Sequence, residues 1–107
     1  MKRGDLVIVA LAGDYGKPRP ALIIQSDAFA DHPSVTVLLL TSDVINSPRT
    51  RISVPPNSVT GLSKLSQVMI DKAMTLPRAK IGKTIGRVDQ DILNQVTNAL
   101  AKFLEFA

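Results

Sequence analysis

The sequence predicts a mainly β fold that ends in one α-helix, with the strands forming a small, strongly curved sheet or a partly closed barrel. Five short segments are rich in apolar and β-branched residues, turn residues separate them, and only the C-terminal segment has helical periodicity. A chain of 107 residues with 45% hydrophobic content is long enough to bury one core. We therefore expect a single domain over residues 1–107.

The first three predicted strands alternate with turn signals. Gly4 and Asp5 precede an apolar, β-branched run at 6–11, which we interpret as the first strand. A loop at 12–18 leads to a second strand at about 19–25, after which Ser26 is placed to cap one short helical turn. The run at 35–41 is almost continuously apolar, which is typical of a strand covered on both faces and predicts the centre of the sheet.

Two further strands are predicted in the second half of the chain. Residues 51–54 alternate like a half-buried strand, and 66–71 form another, which 74–76 could prolong. These boundaries place Asp71 at or near a strand end. The segment 80–87, interrupted by glycines, is predicted to be a connection that contributes to a basic rim.

The C-terminal helix has the clearest start signals. Asp89 is a suitable N-cap, Val88 and Leu93 are spaced as a hydrophobic staple, and Asp91 adds a favourable charge in the first turn. One apolar stripe is predicted to pack as core against the sheet, namely Ile92, Leu93, Val96, Ala99, Leu100, Phe103 and Leu104.

Composition narrows the classes of function. Thirteen Lys and Arg against nine Asp and Glu give a net charge of +4, which favours polyanionic partners. With no tryptophan, one tyrosine and three phenylalanines, an aromatic platform for stacking bases is not expected. No cysteine and a single histidine argue against a metal centre, so we expect neither a metal nor another cofactor. Without a recognisable signal peptide or long apolar span, the expected location is the cytoplasm.

Two prolines hold one arginine at the start of the second predicted strand, in Gly16-Lys17-Pro18-Arg19-Pro20. Pro18 fixes its own φ, and Pro20 restricts Arg19 to extended geometry. A guanidinium is always protonated and donates paired hydrogen bonds that match a phosphate. The motif indicates that Arg19 is positioned to bind a phosphate group. The alternative is that Arg19 is a solvated charge at the end of a loop.

These residues belong to an ordered series that resembles the MazF/PemK family of toxins across nearly the whole chain. The matching motifs are Lys2-Arg3-Gly4-Asp5-Leu6-Val7, Gly16-Lys17-Pro18-Arg19-Pro20, Leu40-Thr41-Ser42, Gly61-Leu62-Ser63-Lys64, Ser66-Gln67-Val68-Met69-Ile70-Asp71 and Ile85-Gly86. The resemblance implies an SH3-like barrel of the CcdB/MazF/Kid type and a homodimeric toxin of a type II toxin–antitoxin system. It also implies an mRNA interferase that cleaves single-stranded RNA without a metal and inhibits translation and growth. A cognate antitoxin with an acidic, partly disordered tail would block it.

The same resemblance implies roles for individual residues. The arginine of the Arg-Pro motif corresponds to Arg19 and the strand-end threonine to Thr41, which would hold and polarise the scissile phosphate with help from Ser42. Asp71 matches a family carboxylate that could carry a proton or orient Arg19; an ordinary surface ion pair is the alternative. Substrate contacts are expected from loop residues, namely Tyr15, Lys17, Ser42, Arg49, Arg51 and Arg78.

Some positions depart from the family pattern. Met69 and Met74 occupy places where some members have arginine, and His32 lies outside the first loop, where some relatives have a catalytic histidine, so we assign it no role. Two other functions remain open at this stage. One is a gyrase-directed toxin of the related CcdB type, although the C-terminus lacks the tryptophan usual there; the other is a silent barrel that only binds nucleic acid or an antitoxin.

Overall fold

A computed structural model describes residues 1–11 and 17–106. Within these residues a six-stranded antiparallel sheet, in the order β4-β5-β3-β2-β1-β6, is followed by one α-helix. The predicted mainly β fold with a C-terminal helix is confirmed, while residues 12–16 of the predicted first loop lie outside the description. The elements are β1 (Asp5–Ala10), β2 (Pro18–Ile23), β3 (Ser34–Thr41), β4 (Arg51–Val54), β5 (Ser66–Pro77), β6 (Ile81–Arg87) and α1 (Gln90–Phe103), with 3-10 turns at Asp27–Phe29 and Arg78–Lys80.

Strand β3 lies inside the sheet and is buried on both faces, as its continuous apolar sequence predicts. Leu38 and Leu40 point to one side, where they pack with residues of β5 and α1 in a helix-side core. Val35 and Val37 point to the other side and pack in a second core with residues of β1 and β2. The period of two along a strand therefore divides one apolar run between two cores.

Strand β5 includes the predicted prolongation at 74–76 and ends at Pro77, so Asp71 lies in its middle rather than at its end. Ser66–Ile70 is buried, but the strand continues exposed to Pro77 because its second half pairs with the first half of β3, where Pro77 lies opposite Ser34. From Asp71 onwards the residues of β5 are less buried, but the pairing with β3 continues to Pro77. The pairing with β3 therefore sets the length of β5.

Strand β6 occupies most of the segment predicted to be a connection. Glycines obscure its strand pattern in the sequence, yet they allow its backbone to approach its neighbours closely. A Cβ on Gly82 would lie 2.8 Å from the carbonyl oxygen of Ile8, and one on Gly86 would collide with the carbonyl oxygens of Val59 and Thr60. The glycines are therefore a requirement of packing between β6, β1 and the loop before β5.

Helix α1 begins as predicted. The carboxylate of Asp89 accepts a hydrogen bond of 2.8 Å from the amide of Ile92, and Val88 and Leu93 are both buried. The prediction that Phe103 and Leu104, at the far end of the apolar stripe, belong to the core is wrong, because they are 51% and 45% exposed. No helix in the described part of the chain is long and apolar enough to cross a membrane.

Candidate functional site

A groove of about 610 Å³ opens where β2 begins and β3 ends. Its walls come from the start of β2, the end of β3 and the segment that leads into β5. The described residues that line it are Lys17, Pro18, Arg19, Pro20, Leu40, Thr41, Ser42, Leu62, Ser63, Lys64 and Ser66.

The groove opens because β2 and β3 separate at this end of the sheet. Pairing between them stops at Ala21 and Leu39, whereas β2 remains paired with β1 as far as Pro18. Proline has no N–H to donate to a sheet ladder, which favours such a separation. The Arg-Pro motif therefore shapes the groove as well as placing a charge in it.

Arg19 and Thr41 lie on the two strands that border this opening. The last pair between the strands is Ala21 with Leu39, and Arg19 and Thr41 each lie two residues beyond it. A step of two residues keeps a side chain on the same face of a strand, so both residues project on one face. Both line the groove, so the structure brings these two predicted site residues to one place.

The hydroxyl of Thr41 has a defined orientation. Its Oγ1 accepts a hydrogen bond of 3.0 Å from the backbone amide of Asp43, which leaves the hydroxyl proton to be donated elsewhere. Ser42, the next residue, is exposed and also lines the groove. This end of β3 thus presents two adjacent hydroxyl groups to whatever occupies the groove.

The charge of the groove is positive. Lys17, Arg19 and Lys64 line it, and none of its described lining residues carries a carboxylate. Lys64 is not among the predicted site residues, although it ends the family motif Gly61-Leu62-Ser63-Lys64. Gly61 adopts a φ of +69°, and a Cβ there would collide with the carbonyl oxygen of Ile85. The glycine therefore lets the segment that carries Lys64 pack against β6.

Asp71 does not line this groove. It is exposed, and its Oδ2 accepts a hydrogen bond of 2.6 Å from Nζ of Lys72. That hydrogen bond, more than the weaker attraction of the Arg51 charge, lowers the pKa of Asp71 below its ordinary value. In this arrangement Asp71 is an ionised carboxylate paired with a neighbouring lysine.

The remaining predicted substrate contacts are distributed over the molecule. Arg49 lines a separate groove of about 640 Å³ beside α1, together with Lys102. Arg78 donates from Nε to the carbonyl oxygen of His32 at 2.9 Å, at the end of β3 opposite the groove. Tyr15 lies outside the described residues.

Arg51 is engaged with a loop of its own chain. Its Nη1 donates to the carbonyl oxygen of Asp43 and to Oε1 of Gln67, both at 3.0 Å. The guanidinium therefore lies behind the loop that follows Thr41, and it is absent from the described lining of the groove.

The positions that depart from the family pattern have structural roles here. Met69 is 8% exposed, and Met74 is half-buried against the second core. His32 is exposed, and its Nδ1 accepts the amide of Ser34 at 3.0 Å. Among residues 1–11 and 17–106, no three His, Cys, Asp or Glu side chains are grouped so that they could hold a metal ion.

Fold and groove together define a small, curved antiparallel-sheet protein with a cationic, hydroxyl-lined site suited to a phosphate-rich ligand. Comparison with known proteins identifies the family. The sequence model of the PemK-like, MazF-like toxins of type II toxin–antitoxin systems matches residues 2–104. The chain belongs to this family, as its motifs predict.

Individual relatives agree with this assignment. The chain is 43% identical over 108 residues to a probable endoribonuclease MazF of Mycolicibacterium smegmatis, covering 100% of this chain and 99% of that protein. The Mycobacterium tuberculosis toxin MazF-mt6 is similar with a TM-score of 0.81 and 25% identity, over 94% of this chain and 96% of that one. A MazE-MazF crystal structure from Deinococcus radiodurans has a TM-score of 0.79 at 21% identity, over 100% and 98% of the two chains, and shows the shared fold.

Proposed function

We propose that this MazF-like endoribonuclease toxin cleaves single-stranded RNA, mRNA in the cell, in the groove between β2 and β3. The observation that carries the proposal is the lining of that groove. Lys17, Arg19 and Lys64 supply positive charge beside the hydroxyls of Thr41 and Ser42. Such a surface attracts a phosphodiester backbone and provides donors for its oxygens.

Arg19 is the proposed ligand of the scissile phosphate. It is half-buried and held by two flanking prolines, so its backbone loses little entropy when the RNA binds. Paired guanidinium donors match two phosphate oxygens and stabilise the charge that develops as the phosphorus becomes five-coordinate. Thr41 donates its hydroxyl proton to the same phosphate, since its oxygen already accepts the amide of Asp43.

The reaction needs no nucleophile from the protein. The 2′-oxygen of the RNA attacks the adjacent phosphorus and loses its proton, and the bond from phosphorus to the 5′-oxygen breaks as that oxygen gains a proton. The products are a 2′,3′-cyclic phosphate and a 5′-hydroxyl. Lys17 and Lys64, which line the same groove, are proposed to bind the flanking phosphates. For Asp71 we favour the alternative of an ordinary surface ion pair over the role of proton carrier, because Asp71 lies outside the groove lining and pairs with Lys72.

A cognate antitoxin and a second copy of the chain are the proposed protein partners. An acidic, partly disordered antitoxin segment would complement the cations of the groove and exclude RNA from it. The dimer follows from the family resemblance, and light scattering should give a mass twice that of the chain. Release from the antitoxin would allow cleavage of mRNA and arrest growth.

The direct test is incubation of the purified protein with mixed-sequence single-stranded RNA in EDTA. Arg19→Ala is compared with Arg87→Ala, which removes an exposed arginine outside the described groove lining. We expect discrete cuts that end in cyclic phosphate, a loss of at least about 100-fold in Arg19→Ala, and normal activity in Arg87→Ala. Thermal unfolding should be nearly the same for both variants.

Other results would point elsewhere. Full activity of Arg19→Ala would overturn the proposed role of the groove. RNA that is bound but left intact across varied substrates would indicate a silent binding barrel, and intact RNA with inhibited gyrase would indicate a toxin of the CcdB type. The family assignment favours cleavage over both.

A further inference from the structure

We propose that Gln67 is a positioning residue that orients the Thr41 hydroxyl through Arg51 and the peptide groups of Asp43. This inference rests on the proposed function, in which Thr41 donates to the scissile phosphate. Gln67 lies outside the described groove lining, so any effect on the reaction must pass through other residues.

Gln67 is a buried polar side chain that forms hydrogen bonds with the loop after β3 and with Arg51 of β4. It is 5% exposed and lies in β5 directly opposite Thr41 of β3. Its Oε1 accepts the amide of Ile45 at 3.1 Å, and its Nε2 donates to the carbonyl oxygen of Ile45 at 2.9 Å. A side-chain amide that satisfies both backbone groups of one residue acts like an extra strand at that point.

Arg51 connects Gln67 to the groove. Its Nη1 donates to Oε1 of Gln67 and to the carbonyl oxygen of Asp43, while the amide of Asp43 donates to Oγ1 of Thr41. Three hydrogen bonds, joined by the backbone of Asp43, therefore link the buried amide of Gln67 to the groove hydroxyl. Bonds to the charged guanidinium are stronger than neutral ones, which favours a single geometry for the Asp43 peptide groups.

The loop depends on these contacts for its position. Asp43 and Ile45 have exposed side chains, so packing does little to hold them. Without Gln67 the loop would gain freedom, the amide of Asp43 would leave Thr41, and the hydroxyl would then rotate among several directions. A donor that is not preorganised must be ordered during the reaction, so it stabilises the transition state less. The expected signature is a fall in kcat with KM nearly unchanged.

The first experiment compares Gln67→Ala with a matched control in the RNA cleavage assay. Thr75→Val also removes a side-chain hydrogen bond between β3 and β5, the one of 2.7 Å between the hydroxyls of Thr75 and Thr36, away from the groove. We expect Gln67→Ala to lower kcat by about 10- to 100-fold and Thr75→Val to leave it unchanged. A Gln67→Ala variant whose kcat equals that of the wild type would overturn the inference.

A double-mutant cycle separates positioning from general weakening of the fold. If Gln67 acts through the Thr41 hydroxyl, Gln67→Ala introduced into Thr41→Val should change kcat by less than about twofold. Full additivity of the two effects would contradict the inference.

A second readout does not require RNA cleavage. Amide hydrogen exchange in Gln67→Ala should show lost protection at Asp43, whose amide bonds to Thr41 and not to Gln67 itself. The control Thr75→Val should keep that protection. Unchanged protection at Asp43 would refute the proposed link between Gln67 and Thr41, whether or not the protein is a ribonuclease. Wild-type protein that leaves RNA intact would count against the proposed function alone.

Discussion

The exposed carboxylate of Asp71 raises the question of whether the reaction needs a proton carrier from outside the groove. The hydrogen bond from Lys72 lowers the pKa of Asp71, so the group is ionised at neutral pH and can accept a proton but has none to donate. A lowered folded-state pKa means that this ion pair stabilises the fold above the unfolded pKa of Asp71. That contribution is lost as the pH falls through the folded value, and it is small because both side chains are exposed.

At the scale of the residue we predict that Asp71→Asn lowers kcat by less than about threefold. The physical reason is that Asp71 lies outside the described groove lining and forms an ion pair with Lys72. Between about pH 5 and pH 8 the shape of the rate profile should match that of the wild type, since the lowered pKa lies below this window. Asp91→Asn, at an exposed position of α1, is the control. A fall of about 100-fold in Asp71→Asn would instead support the role of proton carrier.

Among the elements, α1 carries the clearest stability prediction. Leu93 is 8% exposed and packs in the helix-side core, whereas Leu104, just past the end of the helix, is 45% exposed. Leu93→Ala should lower the free energy of unfolding by about 2–5 kcal/mol through a core cavity. Leu104→Ala should change it by less than about 0.5 kcal/mol. Denaturant unfolding of the two variants measures the difference, and equal values would mean that the helix packs differently from this structure.

The position of β6 supports a second prediction at this scale. A Cβ at residue 86 would collide with backbone oxygens of Val59 and Thr60, neither of which can yield like the end of a flexible side chain. Gly86→Ala should therefore destabilise the protein by about 1–3 kcal/mol. Thr84→Ala also places an alanine in β6, at an exposed position, and should have a much smaller effect. Thermal unfolding provides the comparison, and a stable Gly86→Ala variant would argue against the close packing of β6.

At the scale of the whole molecule, the positive charge of the groove predicts that the affinity for RNA falls as the salt concentration rises. Each phosphate contact by a cation releases counterions, with a slope of about 0.7 in log K per contact for single strands. Lys64→Ala should raise KM and reduce the salt slope by about 0.7, with a smaller effect on kcat. Lys80→Ala removes an exposed lysine outside the described groove lining and should leave the slope unchanged. An unchanged slope in Lys64→Ala would remove Lys64 from the binding surface.

Most of the fold could be predicted because its signals are local. The strands around residues 6–11, 35–41 and 51–54 follow from their apolar periodicity, and the capping signals of Asp89 and Val88 locate the start of α1. The exposed end of the apolar stripe and the strand at 81–87 could not be predicted in this way. Both depend on where the sheet ends relative to the helix, and on which backbone approaches the glycines.

The sequence by itself determined the family, the mainly β class and the capped C-terminal helix, and it predicts Arg19 and Thr41 as the centre of a site. These features depend on residues close together in the chain or on a strand period of two. Only the tertiary structure decided that Lys64 joins the groove, that Arg49 and Arg78 lie elsewhere, and that Gln67 and Arg51 support the loop behind Thr41. The physical reason is that strand register and loop packing bring distant residues together, and no local pattern in the chain records that proximity.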